Sequence, residues 1–231
     1  MSELVHDKNF TDKDVVTFDF GILKEEEIIE LKKNTREIIY NKGETIFKQN
    51  TFVSDVIFIK DGIVKLMTEG LDRKNYIISI YVDNQYIGLS QLFGENKRSY
   101  TVAVLKKATI YTIEKIFLKN LILNSKPLRE NIFTLCAQEH NFLFHRLNIL
   151  GTKNMHGRLS DTLLYLSDSL FSEINIYSYI SRRELADLSA MSIESTIRLL
   201  NEFKNDKLIN ITGKKIEINK PELLKILCKV G

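Results

Sequence analysis

Ser181-Arg182-Arg183-Glu184-Leu185-Ala186-Asp187-Leu188-Ser189-Ala190-Met191-Ser192-Ile193-Glu194-Ser195-Thr196-Ile197-Arg198-Leu199-Leu200-Asn201-Glu202-Phe203 is the stretch that decides the architecture. Ser181 followed three residues later by Glu184 is a capping box, in which each side chain satisfies the other's backbone amide. It predicts a helix over 182–188. Ser189-Ala190-Met191 supplies a tight turn, and Ala190 leaves room for close helix approach. Ser192 caps a second helix over 193–205. Two short helices joined by so short a turn form a helix-turn-helix.

The second helix has two faces. Thr196, Leu199, Leu200 and Phe203 are spaced to pack inward. Glu194, Ser195, Ile197, Arg198 and Asn201 include the side chains free to meet a ligand. In this motif the N-terminal part of the second helix enters the DNA major groove. Arg can donate two hydrogen bonds to guanine, and Glu can accept one from cytosine. Glu194 and Arg198 are four residues apart, so one helical face carries both, and a salt bridge between them would orient Arg198. Ser181, Arg182 and Ser192 stand at the two helix starts and complete the candidate interface. Downstream, Leu208-Ile209-Asn210-Ile211 and Ile216-Glu217-Ile218 flank Thr212-Gly213-Lys214-Lys215. This reads as a hairpin wing whose lysines, Lys214 and Lys215, meet phosphates and give affinity without sequence information. Pro221 starts a last helix.

Upstream, residues 127–155 read as one long helix, with no Gly or Pro from Leu128 to Leu150. Phe133, Cys136, His140, Leu143, Leu147 and Leu150 repeat at three- and four-residue steps. Ile132, Leu135, Phe142 and Ile149 form a second stripe beside them. Two apolar stripes require two partners. One is the preceding domain. The other is the same helix of a second chain, packed as a coiled coil about a two-fold axis.

From Arg36 to Ile116 the period falls to two, in short runs rich in Ile, Val, Tyr and Phe. Turn signals recur at Asn41-Lys42-Gly43, Lys60-Asp61-Gly62, Glu69-Gly70, Asp83-Asn84 and Gly94-Glu95-Asn96. Many evenly spaced short strands indicate an antiparallel barrel or sandwich. The fold class is therefore α+β: a jelly-roll-like β-roll over 1–125, a dimerisation helix over 126–155 and a winged helix-turn-helix over 156–231. Within the last part, 158–170 reads as a helix followed by a loop.

Bulk properties fit this division. The 231 residues are 44% hydrophobic and 27% charged, with two prolines and a net charge of +3. Residues 151–231 hold 12 Lys and Arg against 10 Asp and Glu. Placement of the basic residues, and not their sum, carries the nucleic-acid argument. Cys136 and Cys228 have neither disulfide-framework nor metal-ligand spacing, which fits a reducing cytoplasm. Met1–Asp19 has no apolar run of signal-peptide type, and no stretch approaches a membrane span. No phosphate-binding Gly loop, Gly-x-Ser-x-Gly or His-rich metal motif is present, so catalysis is not expected.

Ile180–Ala186 and Ser192–Leu200 together resemble the signature of the cyclic-AMP receptor/fumarate–nitrate regulator (Crp/Fnr) family of bacterial transcription regulators. In that family a Glu and an Arg, four residues apart, read a G·C-containing half-site, and Glu194 and Arg198 fall on those positions. Leu208-Ile209 and Gly213-Lys214 match the wing. Lys42-Gly43-Glu44-Thr45-Ile46-Phe47 and Phe58–Lys65 are similar to the opening of the cyclic-nucleotide-binding β-roll. The resemblance implies a homodimer on a palindromic double-stranded operator, with RNA polymerase added as a partner where the regulator activates. A second reading, a cyclic-nucleotide-binding control module, follows from the β-roll alone.

The effector cassette departs from the nucleotide binders. The implied pocket residues are Gly88, Leu89, Ser90, Arg98, Ser99 and, at the purine-facing position of the long helix, Leu143. Arg98 and Ser99 match. Leu89 stands where a Glu holds the ribose hydroxyl, and a buried hydroxyl without a partner costs on the order of 1–3 kcal/mol. Cyclic AMP is therefore not the expected effector. Asn84 replaces a usual Gly in a turn that Asn tolerates. Met1–Leu31 contains no cysteine, which excludes the family's iron–sulfur sensor. Cys136 and His140 share a helical face, with His145 near, but on an apolar stripe they read as packing residues and not as haem or metal ligands. No cofactor is firmly implied.

Overall fold

The computed structural model describes residues 23–70, 75–94 and 96–230. Met1–Asp19 and Glu95 of the Gly94-Glu95-Asn96 turn lie outside them. In order come α1 (Glu25–Lys33), β1 (Thr35–Tyr40), β2 (Thr45–Phe47), β3 (Asp55–Glu69), β4 (Asn75–Tyr81), β5 (Gln85–Ile87), β6 (Thr101–Glu114), α2 (Lys115–Asn124) and α3 (Lys126–Thr152). Then follow α4 (Met155–Leu166), α5 (Arg182–Ser189), α6 (Ile193–Asn205), β7 (Ile209–Thr212), β8 (Lys215–Ile218) and α7 (Pro221–Val230). The chain forms two compact units. One runs to Glu69 and resumes over Ser79–Asn141, and the other comprises Gly70–Ile78 and Phe142–Gly231.

The first unit is built on an antiparallel sheet in the order β1-β6-β3-β4, with β2 also beside β6 and β5 beside β3. One face, carrying Val56, Phe58, Tyr111 and Ile113, packs with Leu31, Leu118, Leu121, Ile122, Leu128 and Ile132 from the helices. Lys60-Asp61-Gly62 is not the turn that its composition suggests. It lies inside β3, where the register against β6 slips between Ile59 and Asp61 and twice more before Val64. Gly62 has φ +123°, and a Cβ there would stand 2.4 Å from Ala108 Cβ. Gly serves a bulge as readily as a turn, because both need a left-handed residue or a close backbone approach. Asn84 does occupy a left-handed turn position, with φ +65°.

In the second unit, Leu159, Leu163 and Leu166 of α4 are buried, as are Leu185, Leu188, Leu199, Leu200, Phe203 and Leu224. Two boundaries differ from the sequence reading. The long helix stops at Thr152, and Met155 begins α4, because Asn154 caps a new helix through Oδ1 to the Gly157 amide at 3.1 Å. The helix expected over 158–170 ends at Leu166, and Asp168 then starts a 3-10 turn by accepting from the Leu170 amide at 3.0 Å. No described helix is long and apolar enough to cross a membrane.

Candidate nucleic-acid interface and effector region

The capping box forms as its residue types require. Ser181 Oγ accepts from the Glu184 amide at 3.2 Å, and Glu184 Oε2 accepts from the Ser181 amide at 2.8 Å. Ser192 Oγ accepts from the Ser195 amide at 3.1 Å and starts α6. Between them Ala190 takes a left-handed conformation, φ +51° and ψ +49°. A Cβ in that region costs on the order of 1 kcal/mol, so the turn is held by what surrounds it.

On α6, Thr196, Leu199, Leu200 and Phe203 are buried. Glu194, Ile197, Arg198 and Asn201 are exposed, while Ser195 is half-buried and its hydroxyl accepts from Ser192 Oγ at 3.1 Å. Among the described residues no ion pair joins Glu194 to Arg198. The Glu194 carboxyl is held below its usual range by its own backbone N–H, by the Ser192 hydroxyl and by the charge of Arg183. Arg198 is thus an unpaired guanidinium beside an ionised carboxylate held elsewhere. The pair does not pre-orient itself.

Arg182 is not a free reader. It is half-buried, and its Nη2 donates to Gly213 O at 3.4 Å, joining the start of α5 to the wing turn. The two wing lysines also part company. Lys214 lies in the exposed turn with Gly213, whereas Lys215 opens β8 and pairs with Glu217 Oε1 at 2.6 Å. That pairing pulls the Glu217 carboxyl below its usual range. Lys214→Ala is expected to lower the slope of log Kd against log salt concentration by about 1. Lys215→Ala should lower it less, because its charge is shared with Glu217. A titration series in potassium chloride measures both.

In the effector region, Gly88 has φ +97°, and a Cβ there would stand 3.1 Å from Arg98 Nη1, so Gly88 and Arg98 meet. Arg98 is buried. Its Nη2 donates to Asp55 Oδ1 and to Asp55 O, both at 2.7 Å, and its guanidinium lies 4.0 Å from the Phe47 ring centroid. Leu89 is buried in the apolar cluster with Phe58, Tyr111 and Ile132. Ser99 is exposed, as is Leu143 on α3. Ser90 is hydrogen-bonded to Glu139, a residue that the sequence reading passed over. Tyr81 Oη donates to Glu139 Oε1 at 3.3 Å. Burial raises the Glu139 carboxyl, against the lowering effect of those two hydrogen bonds, and it pushes the Tyr81 and Tyr100 phenols well up. Glu139 was detectable: it follows Ile132 and Leu135 on the inward stripe, where a charged residue interrupts apolar spacing.

The outward stripe of α3 is exposed at Phe133 (59%), Leu143 (40%) and Leu147 (65%), and His140 is exposed too. Cys136 instead packs against the first unit's core, where burial and Glu139 raise its thiol, and Leu150 is half-buried. Phe144 (58%) belongs on the stripe but was not foreseen. It lies four residues after His140 and three before Leu147. Among the described residues no three His, Cys, Asp or Glu gather as metal ligands.

Residues 37–125 match the Cyclic nucleotide-binding domain family, and residues 157–227 match the Crp-like helix-turn-helix domain family. The Fumarate and nitrate reduction regulatory protein of Vibrio cholerae is 24% identical over 206 residues, covering 87% of this chain and 80% of that protein. Electron transport regulator A of Shewanella oneidensis is 25% identical over 197 residues, covering 84% and 76%. The structure of FixK2 from Bradyrhizobium japonicum superposes with a TM-score of 0.74 at 16% identity, over 84% of this chain and 96% of FixK2.

Proposed function

This chain belongs to the Crp/Fnr family of sequence-specific transcription regulators, and from that membership we propose that it acts in the cytoplasm as a homodimer on a palindromic operator. The observation that carries the proposal is α6. Its buried face fixes it in the second unit, and its N-terminal turns present Glu194, Arg198 and Asn201 to solvent. That is the placement major-groove readout needs. The exposed α3 stripe supports the two-fold partner, and RNA polymerase is the further partner of an activating dimer. Both matched domains on one chain favour the regulator over a stand-alone nucleotide-binding module. Nothing in this assignment calls for catalysis.

The β-roll does not fit a cyclic nucleotide. Arg98, the phosphate holder of the nucleotide binders, already has its charge answered by Asp55. Leu89 is committed to the core and offers no acceptor for a ribose hydroxyl. The controlling signal is therefore of another kind.

Selection of double-stranded DNA from a random pool tests the proposal. The expected product is an inverted repeat whose half-site centres lie about one helical turn, roughly 34 Å, apart. A pool that stays random, with binding set by salt alone, would sink it. Calorimetry with cyclic AMP and cyclic GMP is expected to show no binding at micromolar concentrations, and tight binding would reverse the reading of Leu89 and Arg98.

A further inference from the structure

Arg146 is a charged residue that the sequence reading did not single out, and it is almost entirely buried (4% exposed). It sits near the end of α3. Its Nη1 lies 3.2 Å from Asp161 Oδ2 on α4, itself only 6% exposed, and its Nη2 donates to the carbonyl of Leu188 in the last turn of α5. Arg158 of α4 makes the neighbouring contact, Nη1 to Ala190 O at 3.1 Å. Ser189 Oγ donates to Leu185 O at 2.8 Å and lies 3.1 Å from the Thr162 hydroxyl. His145 Nε2 stands 2.9 Å from Asp161 Oδ1, and Cys228 Sγ is 3.9 Å from the same oxygen. Two guanidinium groups thus grip the carbonyls of Leu188 and Ala190, two residues apart, at the end of α5 and in the turn that follows it.

The chemistry explains the choice of residues. The last carbonyls of a helix have no partner within it, and the helix dipole makes that end negative. A cation is the matching group, and Arg alone offers a fork that reaches a carboxylate and a carbonyl together. Taking Arg146 out of water is unfavourable, as the lowering of its pKa by burial shows, and Asp161 offsets that. The grip also answers how a left-handed alanine is held at the turn.

We infer that Arg146 is a positioning residue, and that through Asp161 and the Leu188 carbonyl it fixes the last turns of α3 to the helix-turn-helix. The segment after Phe142 belongs to the second unit by contact, although it continues α3 without a break. Other contacts agree: Phe142 packs on Tyr165 with ring centroids 5.6 Å apart, Ile149 is buried, and Lys153 Nζ donates to Lys229 O at 2.9 Å. Motion of α3 therefore reaches the recognition helix through a side-chain grip on its preceding turn. It need not cross the break at Lys153-Asn154. The inference rests on the operator-binding reading above.

The test compares wild type with the double variant Arg146→Met/Asp161→Leu. Replacing a buried ion pair by apolar residues of similar volume commonly preserves stability, so the melting temperature should stay near wild type. Affinity is then measured on operators from the selected pool and on versions with half-sites one base pair closer or further apart. Wild type should favour its selected spacing at least tenfold. The double variant should bind that operator at least tenfold more weakly and distinguish the spacings less than threefold. Wild-type affinity and spacing preference in the folded double variant would overturn the inference, and so would an equal loss at every spacing. If the double variant does not fold, Arg146→Lys carries the same comparison, since it keeps the charge opposite Asp161 but lacks a second limb for Leu188 O. Failure of wild type to select any operator is a different result: it removes the DNA-binding reading itself.

Discussion

Arg198→Ala is expected to weaken binding to the selected operator by about 1–3 kcal/mol, roughly 5- to 150-fold per half-site, and to flatten the preference at one G·C pair. Arg198 is exposed on the first turns of α6, and no ion pair in the described structure draws its guanidinium aside. A free fork of this kind matches guanine O6 and N7. Melting should not change, because the buried face of α6 is carried by Thr196, Leu199, Leu200 and Phe203. Competition binding with single-base operator variants reads both effects. An equal loss on every sequence would show that Arg198 touches phosphate only. Glu194→Ala should relax a different position, since the Glu194 carboxylate is anchored by Ser192 and its own backbone and is not tethered to Arg198.

The helix-turn-helix was almost fully legible because each of its determinants is local. A capping box spans three residues, and an amphipathic face spans a few turns. Both survive any tertiary arrangement, and the boundaries of α6 came out as read. The bulge in β3 shows the opposite case. Lys60-Asp61-Gly62 carries the composition of a turn, yet Ala108 of β6 lies so close that only Gly fits, and that partner is 46 positions away in the chain. Pairing between distant strands decides between bulge and turn, and no local pattern encodes it. The helices α1 and α2 fall outside the period-two region and carried no signal that singled them out.

Buried charge was the other blind spot. Arg146 and Asp161 carry no local mark of burial in the sequence, and Glu139 carries only its place on the inward stripe, since charged side chains are rarely buried without partners. Their partners, Leu188 O, Arg146 and Tyr81, come from other elements. For the same reason Arg182 and Lys215 looked equivalent to the true surface cations Arg198 and Lys214. Only the fold shows that Arg182 is engaged with the wing backbone and Lys215 with Glu217.

Leu147→Glu combined with Phe144→Glu is expected to have the largest effect of all, converting a dimer to monomers at micromolar concentration and lowering operator affinity by about 10²–10³-fold. Leu147 and Phe144 are 65% and 58% exposed in the single chain and lie on one helical stripe with Phe133 and Leu143. Complete burial of such a side chain stabilises by about 1.5–3 kcal/mol, and a two-fold axis repeats every contact, so an apolar seam this long supplies much of a stable interface. Glutamates there would face their own copies across the axis, adding like-charge repulsion to the lost burial. Each chain should still fold, because the opposite stripe, with Ile132 and Ile149 buried, is untouched. A monomer can occupy one half-site only, and it loses the second, effectively intramolecular, binding event. Sedimentation and operator titration on the same samples separate the possibilities. A variant that stays dimeric would show that the partner chain meets another surface. A monomeric wild type with full operator affinity would show that no two-fold partner is needed.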